Sequence, residues 1–436
     1  MFEKWGHSAA LFFYSFLFYF LTPVIVIRLL FKSLRSPLYR TRLGERWGFV
    51  SKRSHEKLTF WVHAVSVGES VAATPLITAL CANNHELRLH VTCMTPTGSQ
   101  RIQSTFPNQI GKTITHSYTP YDIPGAVERF LGRIRPDMLI IMETELWPVI
   151  ISLCRKKNIP VVLANGRMSE KSASGYERYA FLTRHIFQQL SSVAAQTDGD
   201  ASRFIRLGVP ESRISVTGNI KFDVVLEDSL RQTAKQLRCR LRGKEERPIW
   251  VAASTHFGEE EIVLDAFSGV RKKILNVVLV LSPRHPERFE GVIDMCVSRG
   301  FRVARTSSMP TNEEFDIVVG DTMGELMGYY GACDISFVGG SLVPVGGHSL
   351  IEPAMWGRPI LSGPYLYNFS QTAELLGTCR GLKICNVASE ISTVVVELLT
   401  NTESCREMGA ASLRVAKENR GALPKLVTLI EGARII

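Results

Sequence analysis

Short apolar runs alternate with longer amphipathic segments through most of this chain, and the pattern occurs twice. Each run is a few residues long and ends at Gly, Pro or a polar residue, which is typical of buried strands. Helical segments between such strands require right-handed crossovers. The pattern therefore predicts two α/β domains, each with a parallel sheet. The predicted strands are 59–65, 87–94, 138–142, 161–164 and 193–196, then 249–253, 277–281, 317–319, 335–338 and 360–361.

The length of 436 residues also favours two domains, because single cores stop growing at about 250 to 300 residues. The best boundary is the charged stretch from Arg231 to Arg247. We expect a membrane anchor with a basic flank at 1–47, a first domain at 48–228 and a second at 229–436.

The N-terminus contains a candidate membrane anchor. Residues 9–27 carry no charge and are rich in Phe, Leu, Tyr and Ile, and 19 residues can cross about 30 Å of hydrocarbon. The positive-inside rule then predicts a cytoplasmic main body, although Pro23 leaves open a helix lying in one leaflet. We expect the anchor to supply location only, so a chain starting near Arg40 should stay folded. Only Lys4 precedes the run, whereas the basic residues that follow it are Arg28, Lys32, Arg35, Arg40, Arg42 and Arg46.

Charge and cysteine usage narrow the class of protein. Lys and Arg number 51 against 41 Asp and Glu, so the net charge of +10 suits an anionic partner. No basic tract with interleaved aromatic residues occurs, so we expect no nucleic acid partner and favour an anionic membrane surface with an anionic lipid substrate. The nine cysteines include no Cys-x-x-Cys pair, which is typical of free thiols in a reducing cytosol.

A glycine-rich stretch follows the strand at 335–338. It contains Gly340 and Ser341, and then Gly346-Gly347-His348-Ser349 ahead of Glu352. Glycines let a backbone approach a ligand closely, and a helix start favours phosphate. Glu352 could accept hydrogen bonds from ribose hydroxyls. The alternative is a glycine-rich turn that binds nothing.

Seven further motifs occur in order along the chain. Together with this stretch, they resemble the motifs of one family. They resemble the 3-deoxy-D-manno-octulosonic acid (Kdo) transferases of lipopolysaccharide assembly. The resemblance implies the GT-B arrangement, in which two Rossmann-like domains face each other across a cleft. One departure is Ser349, where the family usually has Asn; Ser remains a good helix cap. The motifs are Ser66-Val67-Gly68-Glu69, Thr95-Pro96-Thr97-Gly98-Ser99, Glu143-Thr144-Glu145-Leu146-Trp147-Pro148, Gly218-Asn219-Ile220-Lys221-Phe222, Ala253-Ser254-Thr255-His256, Pro283-Arg284-His285-Pro286-Glu287-Arg288 and Gly320-Asp321-Thr322-Met323-Gly324-Glu325-Leu326.

The resemblance assigns catalytic and acceptor roles in the first domain. It implies that Glu69 is the catalytic base, whereas its position alone would suit an ordinary acid in a first helical turn. It places Glu143 near the acceptor and Kdo, against the alternative of a structural salt bridge. We expect only one of the two acids Glu143 and Glu145 to enter the site. The expected acceptor contacts are Ser66, Gly68, Thr97, Gly98 and Ser99.

The donor is expected in the second domain, with Lys221 contributing from the end of the first. Arg284, His285 and Lys221 follow predicted strands and suit a nucleotide phosphate and a sugar carboxylate. By resemblance, Ser254 and Thr255 also contact the donor, and Met323, Gly324 and Glu325 begin a helix that borders the cytosine pocket. Asp198-Gly199-Asp200 imitates a metal-binding Asp-x-Asp motif, but capping of the following helix is the better interpretation. We therefore expect no metal and no cofactor.

The resemblance implies an inverting transferase that moves Kdo from CMP-Kdo to the 6'-hydroxyl of the tetraacyl lipid A precursor, lipid IVA. The expected place is the cytoplasmic face of the inner membrane. Two alternatives stay open: a sugar-nucleotide epimerase or other GT-B enzyme, and a non-catalytic membrane-bound binding protein. The apolar N-terminus argues against the first, and Glu69 argues against the second.

Overall fold

The chain divides into two compact units. The computed structural model describes residues 2–35, 37–53, 57–243, 246–309 and 314–433. The first unit comprises residues 1–224 and 420–436, and the second comprises 225–419. Each contains a seven-stranded parallel sheet, so the predicted α/β class with two such domains is confirmed.

The first sheet is formed by parallel strands whose order changes direction at β1. Because helices cover both faces of the sheet, even the short central strands β1 and β4 are buried along their whole length. The strands are β1 (Thr59–His63), β2 (Arg88–Cys93), β3 (Ile114–Tyr118), β4 (Met138–Met142), β5 (Val161–Gly166), β6 (Ser192–Ala195) and β7 (Ile214–Val216). Across the sheet the order is β3-β2-β1-β4-β5-β6-β7.

Helices connect these strands, and several begin at a proline or a hydroxyl cap. Pro96, Pro124 and Pro148 each occupy the first turn, where a missing N–H costs nothing. The helices of the first unit are α1 (Phe2–Arg35), α2 (Val67–Asn83), α3 (Pro96–Thr105), α4 (Pro124–Ile134), α5 (Pro148–Lys156), α6 (Glu170–Arg178), α7 (Ala180–Gln188), α8 (Asp198–Arg206) and, near the C-terminus, α17 (Ala422–Gly432).

Helix α1 contains the predicted anchor and is longer than the charge-free run. Within the described residues it is the one helix long and apolar enough to cross a bilayer, over Leu11–Leu34, with a mean hydropathy of 1.9. Pro23 lies inside the helix without ending it. The side chains of Lys4 and Arg35, used to predict orientation, lie outside the described residues.

The first unit packs directly against α1, which corrects the expectation of a separable anchor. Tyr14 packs against the core on one face of the sheet, and Phe18 and Ile25 pack around Tyr121 and Ile123. A chain that began near Arg40 would expose this apolar surface to water. We therefore expect such a truncated chain to be less stable than the full one.

Two of the basic residues counted as the flank of the anchor are also structural. Arg46 is only 2% exposed, donates from Nη2 to the Met94 carbonyl at 2.9 Å, and lies over the Tyr118 ring. Arg42 pairs with Glu45 at 2.8 Å. These two arginines belong to the fold of the first unit rather than to a membrane-facing surface.

The C-terminal helix corrects the predicted domain boundary. Residues 420–436 were assigned to the second domain but lie in the first unit. The apolar side of α17, with Leu426 and Ile430, is buried in the core beside Ile220. Asp223 accepts from the Gly421 and Leu423 N–H groups at 2.6 Å each and caps the helix.

The second unit repeats the architecture. The strands are β8 (Ile249–Thr255), β9 (Val278–Pro283), β10 (Val303–Arg305), β11 (Ile317–Val319), β12 (Ile335–Val338), β13 (Ile360–Ser362) and β14 (Leu382–Ile384), in the order β10-β11-β9-β8-β12-β13-β14. The helices are α9 (Asp228–Arg242), α10 (Glu259–Arg271), α11 (Phe289–Ser298), α12 (Leu326–Ala332), α13 (Ile351–Met355), α14 (Ser370–Thr378), α15 (Ala388–Thr400) and α16 (Thr402–Glu418). The charged stretch taken as the boundary is largely helix α9.

Candidate functional site

In the first unit, the strand order reverses between β1 and β4. Strand β1 pairs with β2 on one side and with β4 on the other, so the helices that follow β1 and β4 leave on opposite faces. Such a switch point opens a crevice at the carboxyl ends of the strands. Glu69 follows β1, and Glu143 and Glu145 follow β4, so the predicted acids meet at this edge.

Glu69 sits in the first turn of α2 and closes a capping box. Ser66 caps the helix by accepting from the Glu69 N–H at 3.2 Å. The carboxylate in turn accepts from the Val65 N–H at 2.7 Å and from the Ser66 hydroxyl at 2.8 Å. Gly68 is exposed in the same turn. Glu69 therefore caps the helix, and this structural role coexists with the predicted catalytic one.

The environment of Glu69 also prepares it to exchange a proton near neutral pH. The side chain is 8% exposed, and burial raises its pKa to about 7. The negative charges of Glu145 and Glu143 raise the pKa further, while the bonds from Ser66 and Val65 lower it. A carboxyl group with a pKa near the working pH is suited to general base catalysis.

Glu143 and Glu145 both lie close enough to Glu69 for their charges to act on it, which argues against the expectation that only one would enter the site. Strand β4 ends at Met142, and Glu143 has a left-handed backbone with φ of 57°, so the strand does not continue through these acids. Glu143 Oε1 pairs with Lys221 Nζ at 2.7 Å. Glu145 Oε2 accepts from Trp147 Nε1 at 3.0 Å. Lys221 lies in the first unit, unlike the other residues predicted to contact the sugar donor.

The predicted acceptor residues of α3 differ in their availability. Thr97 is exposed, and Gly98 donates its N–H to the capping Thr95 hydroxyl at 3.1 Å. Ser99 is buried, with its hydroxyl 2.7 Å from His116 Nε2 and 3.0 Å from Arg42 Nη1. Ser99 therefore stabilises the fold in this structure, which does not support its predicted role as an open contact.

In the second unit, the equivalent switch point lies between β9 and β12 at strand β8. The glycine-rich loop follows β12, and α10 follows β8. Glu259 at the start of α10 is fully buried and accepts from four backbone N–H groups: His256 at 2.8 Å, Gly340 at 2.6 Å, Ser341 at 2.9 Å and Leu342 at 2.8 Å.

The Gly340 and Ser341 amides are therefore not available to a phosphate. A carboxylate of the protein already occupies them. The Ser341 hydroxyl donates to the Val338 carbonyl at 2.7 Å and accepts from the Gly363 N–H at 2.8 Å. Glu259 could not be identified from the sequence, where its only signal was an acid in the first turn after a central strand.

The glycines of this loop are required by close packing. At Gly340, with φ of 67°, a Cβ atom would lie 2.8 Å from the His348 ring. At Gly346, with φ of 106°, it would lie 2.3 Å from Asn368. Gly347 donates its N–H to the Gly340 carbonyl at 2.7 Å, which folds the loop back on itself. The loop is therefore a rigid support for His348.

His348 belongs to a cluster of three histidines and one arginine. His348 Nε2 lies 2.9 Å from His256 Nε2, with the rings stacked, and His285 meets the His256 ring edge-on. Burial, then neighbouring cations, lower the pKa of His348 to about 4 and also lower that of His256. Both rings are therefore neutral at pH 7, and one donates to the other.

Arg284 supplies the fixed positive charge of this cluster. It follows β9, and its backbone N–H donates to the Thr255 carbonyl at 2.9 Å. Within the part of the chain that the structure describes, no carboxylate forms an ion pair with its guanidinium, whereas Arg288 pairs with buried Glu260 at 3.1 Å. Arg284 is therefore available to an anion. Ser254 and Thr255 are buried at the adjacent bulge that ends β8, where Ser254 has φ of 56°.

Glu352 lies beside this cluster, but the helix around it is shorter than predicted. Helix α13 has five residues and is preceded by Leu350 as cap, so His348 and Ser349 lie in the loop. The Ser349 side chain donates to the Glu352 carboxylate instead of capping the helix. Burial raises the pKa of Glu352 to about 7, while Ser349 and the charge of Arg284 lower it.

The predicted base-pocket residues Met323, Gly324 and Glu325 form a turn rather than the start of a helix. Helix α12 begins at Leu326, and Gly324 has φ of 95°. Met323 is 58% exposed, and Glu325 accepts from the Tyr329 hydroxyl at 3.0 Å. The turn follows β11, on the same side of the second sheet as Arg284.

The Asp-x-Asp motif opens helix α8, but the residue that caps this helix is Thr197, whose hydroxyl accepts from the Asp200 N–H at 3.1 Å. Asp200 is buried in the first turn of α8 and accepts from the Thr197 hydroxyl at 2.6 Å and the Met168 N–H at 2.8 Å. Among the described residues, no three His, Cys, Asp or Glu side chains come together in a way that could hold a metal ion.

Comparisons with known proteins identify the family of this chain. Residues 41–224 match the profile of the family described as 3-deoxy-D-manno-octulosonic-acid transferase. The chain is 40% identical to the 3-deoxy-D-manno-octulosonic acid transferase of Haemophilus influenzae, over 96% of this chain and 98% of that protein. It is 35% identical to the enzyme of the same name from Bordetella pertussis, over 72% of this chain and 73% of that protein.

A solved structure supports the fold independently. UDP-GlcNAc 2-epimerase from Neisseria meningitidis superposes with a TM-score of 0.60, covering 86% of this chain and all of that one, at 13% identity. At that identity the likeness extends to the GT-B fold and not to the reaction. The sequence relationships, in contrast, cover nearly the whole chain, and they show that this protein belongs to the Kdo transferase family of glycosyltransferases.

Proposed function

We propose that this transferase takes Kdo from CMP-Kdo and attaches it to the 6'-hydroxyl of the tetraacyl lipid A precursor, lipid IVA. Membership of the family supports the type of transfer. The observation that carries the mechanism is Glu69: a buried carboxyl with a pKa of about 7, at the switch point of the first sheet, beside two further acids.

Glu69 is the proposed general base. Its carboxylate would take the proton of the acceptor hydroxyl as that oxygen attacks the anomeric carbon of Kdo. The bond to the CMP phosphate would break on the opposite side, which inverts the configuration. Base assistance of this kind accelerates reactions by about 10² to 10⁴. The bonds from Val65 and Ser66 hold the carboxylate in one orientation.

The first unit would bind the acceptor. Ser66, Gly68, Thr97 and Gly98 border the helix starts that follow β1 and β2, and Thr97 and Gly68 are exposed there. Lys221 is partly exposed and shared with Glu143, so it could exchange that carboxylate for the carboxylate of Kdo.

The second unit would bind the nucleotide without a metal ion. Arg284 would bind the CMP phosphate, assisted by His285 and by the one N–H that the neutral His256–His348 pair leaves free, on Nδ1 of the accepting ring. Glu352 would accept from the ribose hydroxyls, and the turn at Met323, Gly324 and Glu325 would contact the cytosine. The positive charge of Arg284 would then stabilise the departing phosphate.

We place the enzyme on the cytoplasmic face of the inner membrane. The apolar span of α1 supports attachment to a membrane, and both proposed substrates are anionic, which agrees with the net charge of +10.

Purified protein incubated with CMP-Kdo and lipid IVA tests this proposal. The expected result is release of CMP and a lipid heavier by one or more Kdo residues, with NMR showing an inverted anomeric centre. Kdo transfer to another acceptor only would refute the proposed acceptor. CMP release without any lipid product, or a changed sugar without acceptor, would refute the proposed reaction.

A further inference from the structure

One face of α1 packs along the first unit for most of its length. The residues least exposed along this apolar span recur every three or four positions, which places them on a single face. Tyr14, Phe18 and Ile25 pack against apolar residues of the unit, and Thr22 lies between them on the same face. This contact extends along the segment that would occupy the middle of a bilayer if the helix crossed it.

Polar bonds fix the same face. The Tyr14 hydroxyl donates to the Asp122 carboxylate, which also accepts from the N–H groups of Val149 at 3.1 Å and Ile150 at 2.8 Å. The Tyr19 hydroxyl accepts from the Gly125 N–H at 3.3 Å. Asp122 thus connects α1 to the start of α5.

The opposite face of α1 is a continuous apolar surface. Over about 34 Å of helix it presents large apolar side chains that are 39 to 74% exposed. Soluble proteins rarely expose an apolar surface of this size to water. Arg28 and Lys32 are exposed at its C-terminal end. The exposed apolar residues are Phe12, Phe13, Phe16, Leu17, Phe20, Leu21, Val24, Ile27, Leu30, Phe31 and Leu34.

We infer that α1 lies in the plane of the membrane, in one leaflet, between the first unit and the bilayer. A spanning orientation would carry Asp122 into hydrocarbon, because Phe18 and Ile25, on either side of the centre of the span, pack around its chain neighbours Tyr121 and Ile123. In the plane, every outer residue enters the leaflet, and Arg28 and Lys32 meet anionic headgroups. The occupant of the outer face is therefore an anionic bilayer surface.

This orientation has a consequence for the acceptor. The Asp122 contact lies at the start of α5, directly after Glu145 and Trp147, at the carboxyl edge of the first sheet. An in-plane α1 holds this edge beside the membrane surface. This inference rests on the proposed membrane location and deepens it. The proposed catalytic edge of the first unit then faces the membrane, from which a lipid-linked acceptor would come.

The topology of the N-terminus separates the two orientations. A protease-cleavable tag placed before Met1 of the full chain can be probed in spheroplasts and in inverted inner-membrane vesicles. In-plane α1 predicts cleavage only in inverted vesicles, where the body is also digested. Cleavage in spheroplasts would mean that the helix spans and would overturn the inference. A protein absent from both membrane preparations would instead refute the proposed location.

A matched pair of variants gives a second test. Phe18→Glu on the inner face should lower the melting temperature, with binding to phosphatidylethanolamine–phosphatidylglycerol vesicles unchanged for the folded fraction. Phe20→Glu on the outer face should weaken vesicle binding about tenfold or more at an unchanged melting temperature. If Phe18→Glu does not fold, Phe18→Ala replaces it. Equal losses of vesicle binding with no change in melting temperature would overturn the inference. So would a Phe20→Glu protein that loses only self-association, since the outer face would then bind a second copy.

Discussion

Each unit places a buried glutamate in the first turn of the helix that follows its central strand, and the two glutamates have different surroundings. Glu259 accepts four backbone N–H groups and is fully used in holding the glycine-rich loop. Glu69 accepts hydrogen bonds from only one N–H and one hydroxyl. Burial, together with the charges of two other acids, raises its pKa to about 7. The comparison teaches that the donors around a buried carboxylate, rather than burial itself, separate a structural acid from a candidate base.

The largest expected effect is on transfer by Glu69→Gln. Gln can still accept from the Val65 N–H and can donate its NH₂ to the Ser66 hydroxyl, but it cannot take a proton, so transfer should fall by about 10² to 10⁴ with CMP binding unchanged. Kdo transfer measured under identical conditions checks this, with the exposed Glu128→Gln as control. Transfer within tenfold of wild type would exclude Glu69 as the base.

The same variant should be more stable than wild type at alkaline pH. The pKa of Glu69 is raised from 4.5 to about 7 on folding, so its protonated form stabilises the fold below pH 4.5 and this contribution is lost as the pH rises through 7. Glu69→Gln should therefore gain up to about 3 kcal/mol at pH 8 and little at pH 4. Unfolding in denaturant at both values measures the difference.

Glu259→Gln tests the structural role of the other glutamate. An amide NH₂ in place of one oxygen would face the N–H groups of the glycine-rich loop and leave them unsatisfied, at about 1 to 3 kcal/mol each. We expect a lower melting temperature of the second unit and weaker CMP binding, whereas exposed Glu261→Gln in the same helix should change neither. Normal stability of Glu259→Gln would show that the loop does not depend on this carboxylate.

The central strands could be predicted from sequence, and the four edge strands could not. β3, β7, β10 and β14 lie at the sheet edges, where three of them have only three residues and none has a long apolar run. The inner strands are buried on both faces and most of their residues are apolar, which is the signal that sequence provides.

The candidate site shows a similar limit. The acids at the carboxyl ends of β1 and β4 could be located because parallel strands bring their ends together. Occupation of the loop amides by Glu259 could not, because carboxylate and loop are 81 residues apart in the chain. The packing of α1 against the first unit could not be predicted either, because Phe18 on its inner face and Phe20 on its outer face are the same residue type.

A smaller effect is expected from Glu352→Ala. Loss of this carboxylate should leave ribose hydroxyls unpaired and weaken CMP binding by roughly 1 to 3 kcal/mol. Calorimetric titration with CMP measures the change, and exposed Glu374→Ala serves as control. An unchanged dissociation constant would mean that Glu352 has only a structural role beside Arg284.

The smallest expected effect tests why Glu69 differs from Glu259. Glu145 raises the pKa of Glu69 by like-charge repulsion, so Glu145→Gln should lower that pKa and move the acid limb of kcat/KM to lower pH. For partly solvated charges we expect about 0.5 to 1 kcal/mol, or roughly half a pH unit. Gln can still accept from Trp147 Nε1, so the loop should keep its geometry. Glu143→Gln should move the limb less, because Lys221 already pairs with Glu143 at 2.7 Å. An acid limb that stays in place in both variants would mean that burial alone sets the pKa of Glu69, and that the neighbouring acids bind substrate without tuning the base.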